Sequence, residues 1–197
     1  MDFAVLASGA GTNLAVLIER SATLDFGGSI ACVISDQPDC GALRRAERAG
    51  IPTVALDPDL ERIELTTRVC EEAADHGAEA LVLAGFMRIL GPEAIARFPH
   101  RIVNVHPSLL PAFPGRDAVQ QALDYGVTIT GLTVHLVDEH VDHGPIVAQR
   151  PVPIRADDDA GSLHARIQEE EHRIFPRAVH ALVQGRLVVE GRRVIWR

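Results

Sequence analysis

The sequence predicts an α/β fold: a Rossmann-like, mostly parallel sheet with helices on both faces and antiparallel strands toward the C-terminus. Three observations predict it. Short continuous apolar runs alternate with helix-length stretches over the first two-thirds of the chain, as expected of strands buried on both faces. The first apolar run passes directly into a glycine loop that opens a helix. After that the pattern changes to two adjacent strand-like runs, a long helix and a final strand pair.

Taken in order, strands are expected at Phe3–Ala7, Ile30–Ser35, Thr53–Leu56, Ala80–Leu83 and Ile102–Val105. Each is rich in Val, Ile, Leu or Ala and is bounded by turn residues. Helices are expected at about Asn13–Arg20, Ala42–Ala49, Leu60–His76 and Pro92–Phe98, the last opened by a proline suited to a first helical turn. Gly131–Asp138 and Pro145–Ile154 read as an antiparallel pair around a short loop. A long helix, about Ala160–Gln184, carries an apolar stripe of Leu163, Ile167, Ile174, Ala178 and Leu182 at spacings of three and four. Glu171 interrupts that stripe, and a carboxylate aimed at a core is costly without a partner. Either an arginine pairs with it or a ligand does. Pro176 is expected to kink or restart this helix. A strand pair around Val188-Val189 and Val194–Trp196 ends the chain.

Composition narrows the function. With 197 residues, 47% of them apolar, the chain suits one domain with a sizeable core. Its formal net charge of -8 disfavours nucleic acid and anionic membrane as partners but leaves a small anionic substrate open. All nineteen basic residues are arginine. The absence of lysine excludes Schiff-base chemistry and an NTPase P-loop. Cys32, Cys40 and Cys70 have neither disulfide-framework nor zinc-knuckle spacing and read as reduced thiols of a cytoplasmic protein. The N-terminus lacks a signal peptide's positive region, and no apolar run is long enough to span a membrane.

Four segments carry candidate chemistry. Ser8-Gly9-Ala10-Gly11-Thr12-Asn13 joins glycine turns to a helix N-terminus, an arrangement that binds anions, most often phosphate. Asp36, at the end of the second strand, keeps a dinucleotide site as an alternative, although a third glycine is missing. Gly85-Phe86-Met87-Arg88-Ile89-Leu90 follows the fourth strand and supplies apolar side chains for a slot, or simply for the core. Asn104 and His106 alternate on the fifth strand, so both side chains leave one face before Pro107 stiffens the turn. A carboxamide beside an imidazole suits polarising a carbonyl and stabilising the oxyanion formed when an amine attacks it. The loop from Asp138 to Gly144 is dense in titratable groups. Asp142 can orient the His106 ring and favour its charged form; Asp138 and Glu139 are alternatives. A metal held by His140, Asp142 and His143 is the lesser reading, because no second cluster completes a ligand set. Glycine loop, apolar segment and Asn104/His106 pair each follow a strand, so all three are expected on one edge of the sheet.

These segments, with Asn104–Pro111, Pro114-Gly115, Gln168–His172 and Pro176, resemble the folate-dependent glycinamide ribonucleotide formyltransferases in order and spacing along almost the whole chain. The Asn-x-His-Pro-Ser-Leu-Leu-Pro run alone marks only the wider formyltransferase superfamily. The resemblance implies a single formyltransferase domain over 1–197, with a nucleotide- and phosphate-binding half at 1–100 and a catalytic and folate-binding half at 101–197. It implies that Gly11, Thr12 and Asn13 hold the substrate phosphate, that Glu171 meets the ribose hydroxyls and that Gln168 flanks them. Arg62, Met87, Arg88, Ile89, Leu90, Asn104, Asp138, Glu139, His140, Val141 and Asp142 would contact 10-formyltetrahydrofolate, a cosubstrate. Asn104, His106 and Asp142 would be catalytic. No tightly bound cofactor or metal is implied, and the protein would be a monomer or homodimer acting on small molecules.

The chain departs from its relatives at Arg116-Asp117-Ala118-Val119, where some carry histidines, and at His143. Methionyl-tRNA formyltransferases resemble the middle segments but carry a further C-terminal domain, and formyltetrahydrofolate hydrolases a further N-terminal one. This chain, short at both ends and acidic, is expected to be neither. A nicotinamide dehydrogenase or a non-catalytic nucleotide-binding module would leave Asn104, His106 and Asp142 without a role.

Overall fold

The computed structural model describes residues 1–197, the side chain of Leu24 excepted. In chain order the elements are β1 Phe3–Leu6, α1 Thr12–Ser21, β2 Ile30–Ser35, α2 Gly41–Arg48, β3 Thr53–Ala55, α3 Arg62–Asp75, β4 Ala80–Leu83, α4 Pro92–Arg97, β5 Ile102–His106, α5 Ala118–Tyr125, β6 Ile129–Leu136, β7 Ile146–Pro153, α6 Ala160–Val183, β8 Leu187–Glu190 and β9 Arg193–Trp196. A 3₁₀ turn at Leu24–Phe26 joins α1 to β2. The strands form one sheet in the order β3-β2-β1-β4-β5-β6-β7-β9-β8. β3, β2, β1, β4 and β5 are parallel, and β6 and β7 each reverse direction. The expected Rossmann-like sheet with antiparallel strands after it is therefore present. One contact departs from the pattern: β9 meets β7 in parallel, through Ile146 and Arg193.

Two apolar layers explain why helices cover both faces. Phe3, Val5, Val33, Val82, Val103 and Val105 point to one side, against Leu14 and Leu17 of α1, Ala42 and Leu43 of α2, Val119 of α5 and Leu163, Ile167 and Phe175 of α6. Ala4, Leu6, Ile34, Leu81, Leu83 and Ile102 point to the other, against Leu65 and Val69 of α3 and Ala94 of α4. Strand alternation thus assigns consecutive residues to opposite layers.

Helix α6 begins with a capping box: the Ser162 N–H donates to Asp159 Oδ1 at 2.7 Å, and the Asp159 N–H donates to Ser162 Oγ at 3.0 Å. It runs on through Pro176 rather than restarting there. Ile174, Phe175, Ala178 and Val179 are buried on either side of the proline, so packing offsets the lost backbone bond. Helix α5 is absent from the sequence expectations. Its eight residues lie between two left-handed residues, Asp117 (φ 56) and Gly126 (φ 80), and two turns carry little periodic signal. No helix among the described residues is long and apolar enough to cross a membrane.

Candidate active site

β1 lies between β2 and β4, so the sheet changes winding direction there, and the loops after β1 and β4 flank that point. The loop after β1 closes with Gly11 in the left-handed conformation (φ 73), and a Cβ there would stand 2.7 Å from Ala42 Cα. The same contact brings α2 against the loop: the Ala42 N–H donates to Gly9 O at 3.0 Å and Arg45 Nε to Ala10 O at 2.9 Å. Gly9 faces open space on its Cβ side. Thr12 opens α1 and Asn13 follows it, so the helix's unpaired amides end at this loop.

Asn13 and Glu171 meet across the chain. Asn13 Nδ2 donates to Glu171 Oε2 at 2.8 Å, and the residues are 8% and 5% exposed. The carboxylate in the apolar stripe of α6 is thus held by an amide, not by the arginine that would have made it a structural ion pair. Asn13 Oδ1 is buried without a partner among the described residues. An unsatisfied buried acceptor costs roughly 1–3 kcal/mol, which a bound donor removes. Gln168 sits half-buried one turn before Glu171.

Asp36 is unavailable to a ribose. It is 2% exposed, and its carboxylate accepts from Ser8 Oγ at 2.5 Å and from Gln37 Nε2 at 3.3 Å. Ser8 Oγ in turn accepts the Met87 N–H at 2.9 Å, so Asp36 fixes the glycine loop against the segment after β4. The dinucleotide alternative loses its acid.

In that segment Met87 and Ile89 are 61% and 53% exposed, while Phe86 and Leu90 are buried in the core. The guanidinium of Arg88 donates to Pro58 O and Leu60 O, and that of Arg62 to Leu90 O, so both arginines brace the loops around this edge. Of the expected slot residues, Met87 and Ile89 present exposed apolar side chains and Leu90 is buried; Val141, on the later loop, is 51% exposed.

β5 and β6 assemble the polar cluster. Their register sets Asn104 opposite His135 and His106 opposite Thr133. His106 Nε2–H donates to Phe113 O at 2.8 Å, and its Nδ1 faces Asp142 Oδ2 at 3.3 Å. Both ring nitrogens face acceptors, so the doubly protonated ring satisfies both. Asp142 Oδ2 also accepts the Gly115 N–H at 2.8 Å. Asp142 Oδ1 lies 3.5 Å from both Asn104 Nδ2 and His135 Nε2. Asp142 reaches this position because its backbone is left-handed (φ 51), which turns the loop after β6 back over the strands.

Burial alone would raise the Asp142 carboxyl. The bonds from His135 and Gly115 and the charges of His106 and His135 outweigh it, and hold the carboxyl below its ordinary value. Of the loop carboxylates, Asp142 meets His106, whereas Asp138 turns outward to His143 Nδ1 at 2.9 Å. Glu139 and His140 are exposed.

The Pro107–Gly115 loop is built to present Phe113 and Gly115. Ser108, fully buried, donates to Ala112 O at 2.6 Å, and Thr133 Oγ1 donates to Ser108 O at 2.7 Å. Gln149 Nε2 donates to Leu110 O at 2.9 Å. Sequence reasoning missed His135, which is 2% exposed and 3.2 Å from Asn104 Nδ2. Its alternation with Thr133 was visible, but its partner depends on a strand register set across a long connection that contains helix α5.

A largely buried carboxylate facing two imidazoles and an amide, on the sheet edge that also carries the glycine loop, has the donors and acceptor that polar acyl chemistry needs. The family profile described as formyl transferase matches residues 1–179. This chain belongs to the formyl transferase family. It is 44% identical to a phosphoribosylglycinamide formyltransferase of Mycobacterium tuberculosis over 190 residues, 95% of this chain and 87% of that protein. Among solved structures, glycinamide ribonucleotide transformylase 1 from Symbiobacterium toebii superposes with a TM-score of 0.96 at 43% identity, covering 100% of this chain and 93% of that one. A formyltetrahydrofolate deformylase from Pseudomonas syringae also superposes, with a TM-score of 0.89 at 29% identity over 99% of this chain and 65% of that one. The chain spans about a fifth of the trifunctional purine biosynthetic proteins it matches in Gallus gallus and Homo sapiens, 20% and 19% of their lengths.

Proposed function

We propose that this enzyme transfers the formyl group of 10-formyltetrahydrofolate to the amine of glycinamide ribonucleotide, a step of purine biosynthesis. The observation that carries the reading is the Asp142 carboxylate, one oxygen toward His106 and Gly115 and the other toward Asn104 and His135. Gly11, Thr12 and Asn13 receive the phosphate at the N-terminus of α1, where unpaired amides and the helix dipole favour an anion. Glu171 and Gln168 take the ribose, and the orphaned Asn13 Oδ1 accepts a substrate N–H or O–H.

The pterin lies against Met87, Arg88, Ile89 and Leu90 and under the loop Asp138, Glu139, His140, Val141 and Asp142, with Arg62 toward its acidic tail. Exposed apolar side chains at Met87, Ile89 and Val141 suit a flat heteroaromatic partner. Residues 1–100 supply the phosphate loop and 101–197 the catalytic cluster. Gln168 and Glu171 complete the first site from the second half, and Met87–Leu90 complete the second from the first. The enzyme acts in the cytoplasm on two small molecules, as a monomer or homodimer.

The neutral glycinamide amine attacks the formyl carbon, forming a C–N bond and an oxyanion. The Asn104 amide donates to that oxyanion. Because His106 Nε2 is bound to Phe113 O, the ring acts through its charge and through Nδ1–H, shared between Asp142 and the oxyanion. Asp142 accepts the ammonium proton through one water. The tetrahedral centre then collapses, the bond between the formyl carbon and the folate nitrogen breaks, and that nitrogen leaves with the proton that Asp142 took up, returned through the same water. Donors of this type contribute ~3 kcal/mol each to the transition state.

The test mixes the protein with 10-formyltetrahydrofolate and follows deformylated folate by absorbance, with and without glycinamide ribonucleotide. Release is expected only with the ribonucleotide and to collapse in His106→Ala. Equal release without it would make the enzyme a hydrolase, and no release in either case would overturn formyl transfer.

A further inference from the structure

The outward side of the Asp138–Gly144 loop holds a cluster of side chains that takes no part in the proposed proton transfers, although the loop itself covers the proposed folate site. Asp138, His140 and His143 each offer a ligand atom, and these atoms lie within 4.8 Å of one another. Asp142, although between them in sequence, is turned inward to His106 and takes no part. We propose that Asp138, His140 and His143 form a binding site for a zinc-class divalent cation, whose occupancy competes with folate for the loop. Competition with folate rests on the formyl-transfer reading; the metal site itself does not.

The donor set selects the ion. Two imidazoles and one carboxylate suit Zn²⁺, Ni²⁺ or Cu²⁺, whereas Mg²⁺ and Ca²⁺ take oxygen ligands. Three protein ligands leave a coordination position for water, which the exposure of His140 and His143 permits.

The scaffold is closed before any ion binds. A Cβ on Gly144 would stand 1.8 Å from Leu136 O, so the loop is pinched at its base. The Asp138 carboxylate already spans the His140 N–H at 2.9 Å and His143 Nδ1 at 2.9 Å. The imidazole rings of His140 and His143 are 5.2 Å apart. Little chain entropy remains to be lost on coordination. One group opposes the ion. Arg192 holds His143 O and places a guanidinium nitrogen 3.4 Å from its ring.

That opposition makes the test two-signed. The full chain is titrated with ZnCl₂ by calorimetry at about pH 7.5, where ordinary imidazoles are neutral. One equivalent is expected. His143→Ala and His140→Ala should each weaken binding at least about a hundredfold, since losing a ligand costs no less than losing its outer hydrogen-bond partner. Arg192→Gln should tighten it about threefold, the range of an exposed charge interaction. His164→Ala, on the exposed start of α6, should change nothing. Co²⁺ should give an absorption band that His143→Ala abolishes. No saturable zinc binding, or binding unchanged in His143→Ala, would overturn the site. In the transfer assay, zinc should raise the apparent KM for folate in the native protein and not in His143→Ala. Zinc that binds without moving that KM would overturn the competition while leaving the metal site standing. A protein without transfer activity would fail the functional reading alone, since calorimetry needs no turnover.

Discussion

Asp142→Asn separates charge from shape at the centre of the proposed site. The amide oxygen still accepts the Gly115 N–H, which lies 2.8 Å from Oδ2 in the native protein, so the loop keeps its anchor. What is lost is the negative charge facing His106 Nδ1 at 3.3 Å and His135 Nε2 at 3.5 Å. Opposite unit charges at such a separation attract by about 5 kcal/mol at an effective dielectric of ~20. Much of that is offset by the cost of burying them. The remainder is comparable with a preorganised transition-state contact, ~3 kcal/mol, or about a hundredfold in rate. The kcat for formyl transfer, read from folate release at saturating substrates, should therefore fall about a hundredfold. Stability should move in a predictable direction. Because the folded carboxyl lies below its ordinary value, its ionised form stabilises the fold at pH values above the ordinary carboxylate range. That contribution is lost as pH falls through the depressed folded value. Asp142→Asn should accordingly flatten the acid limb of the stability curve, measured by denaturant unfolding from neutral pH downward. A variant that keeps more than about a tenth of the native kcat would refute the electrostatic role.

Glu171→Gln should raise the KM for the ribonucleotide about tenfold and leave kcat close to native, because it removes a charged acceptor from binding and touches no reacting atom. Gly11→Ala forces a left-handed conformation on a residue whose Cβ would stand 2.7 Å from Ala42 Cα, so the melting temperature should fall by about 5 °C and ribonucleotide binding should be lost. Unchanged melting would refute the close approach. Burial pushes the Cys32 thiol up to about 12 and the Cys70 thiol up to about 11, so neither should react with iodoacetamide until the protein unfolds, as peptide mass mapping would report.

The parts of this fold that were legible in the sequence are those governed by local pattern. Strands β1, β2 and β4 are apolar runs whose residues alternate between the two buried layers, so their positions need no knowledge of partners, whereas β3 is a half-buried edge strand marked by its bounding turns. Helix α6 was legible for the same reason: its stripe of Leu163, Ile167, Ile174, Ala178 and Leu182 is long enough to be periodic. Helix α5 was not, since two turns between left-handed residues carry almost no period. In the site, Asn104 and His106 were legible because alternation on one strand is a local fact. The partners were not all so. His135 faces Asn104 only through the β5–β6 register, and Phe113 meets His106 Nε2 only through a loop pinned by Ser108, Thr133 and Gln149. Glu171 was visible as an anomaly, but its partner, Asn13, lies 158 residues away.

The same alternation explains how the two proposed ligand sites can act together although they stand on different faces of the sheet. Val103 and Val105 point into the layer containing α1 and α6, so the glycine loop and Glu171 lie on that side. Ile102 points into the opposite layer, and Asn104 and His106 share its face. A ligand touching Asn13 and Asn104 must therefore cross the carboxyl edge of the sheet rather than lie on either face. Side chains on β1 and β4 end at that edge with Leu6 and Leu83, and Ser8 and Gly85 are joined there by a backbone bond of 3.0 Å. Asp36, through Ser8 and the Met87 N–H, keeps this crossing point fixed. In the proposed reaction, a residue in the position of a dinucleotide-binding acid would act through geometry alone, by holding the glycine loop of the proposed phosphate site at a fixed distance from Asn104 and His106.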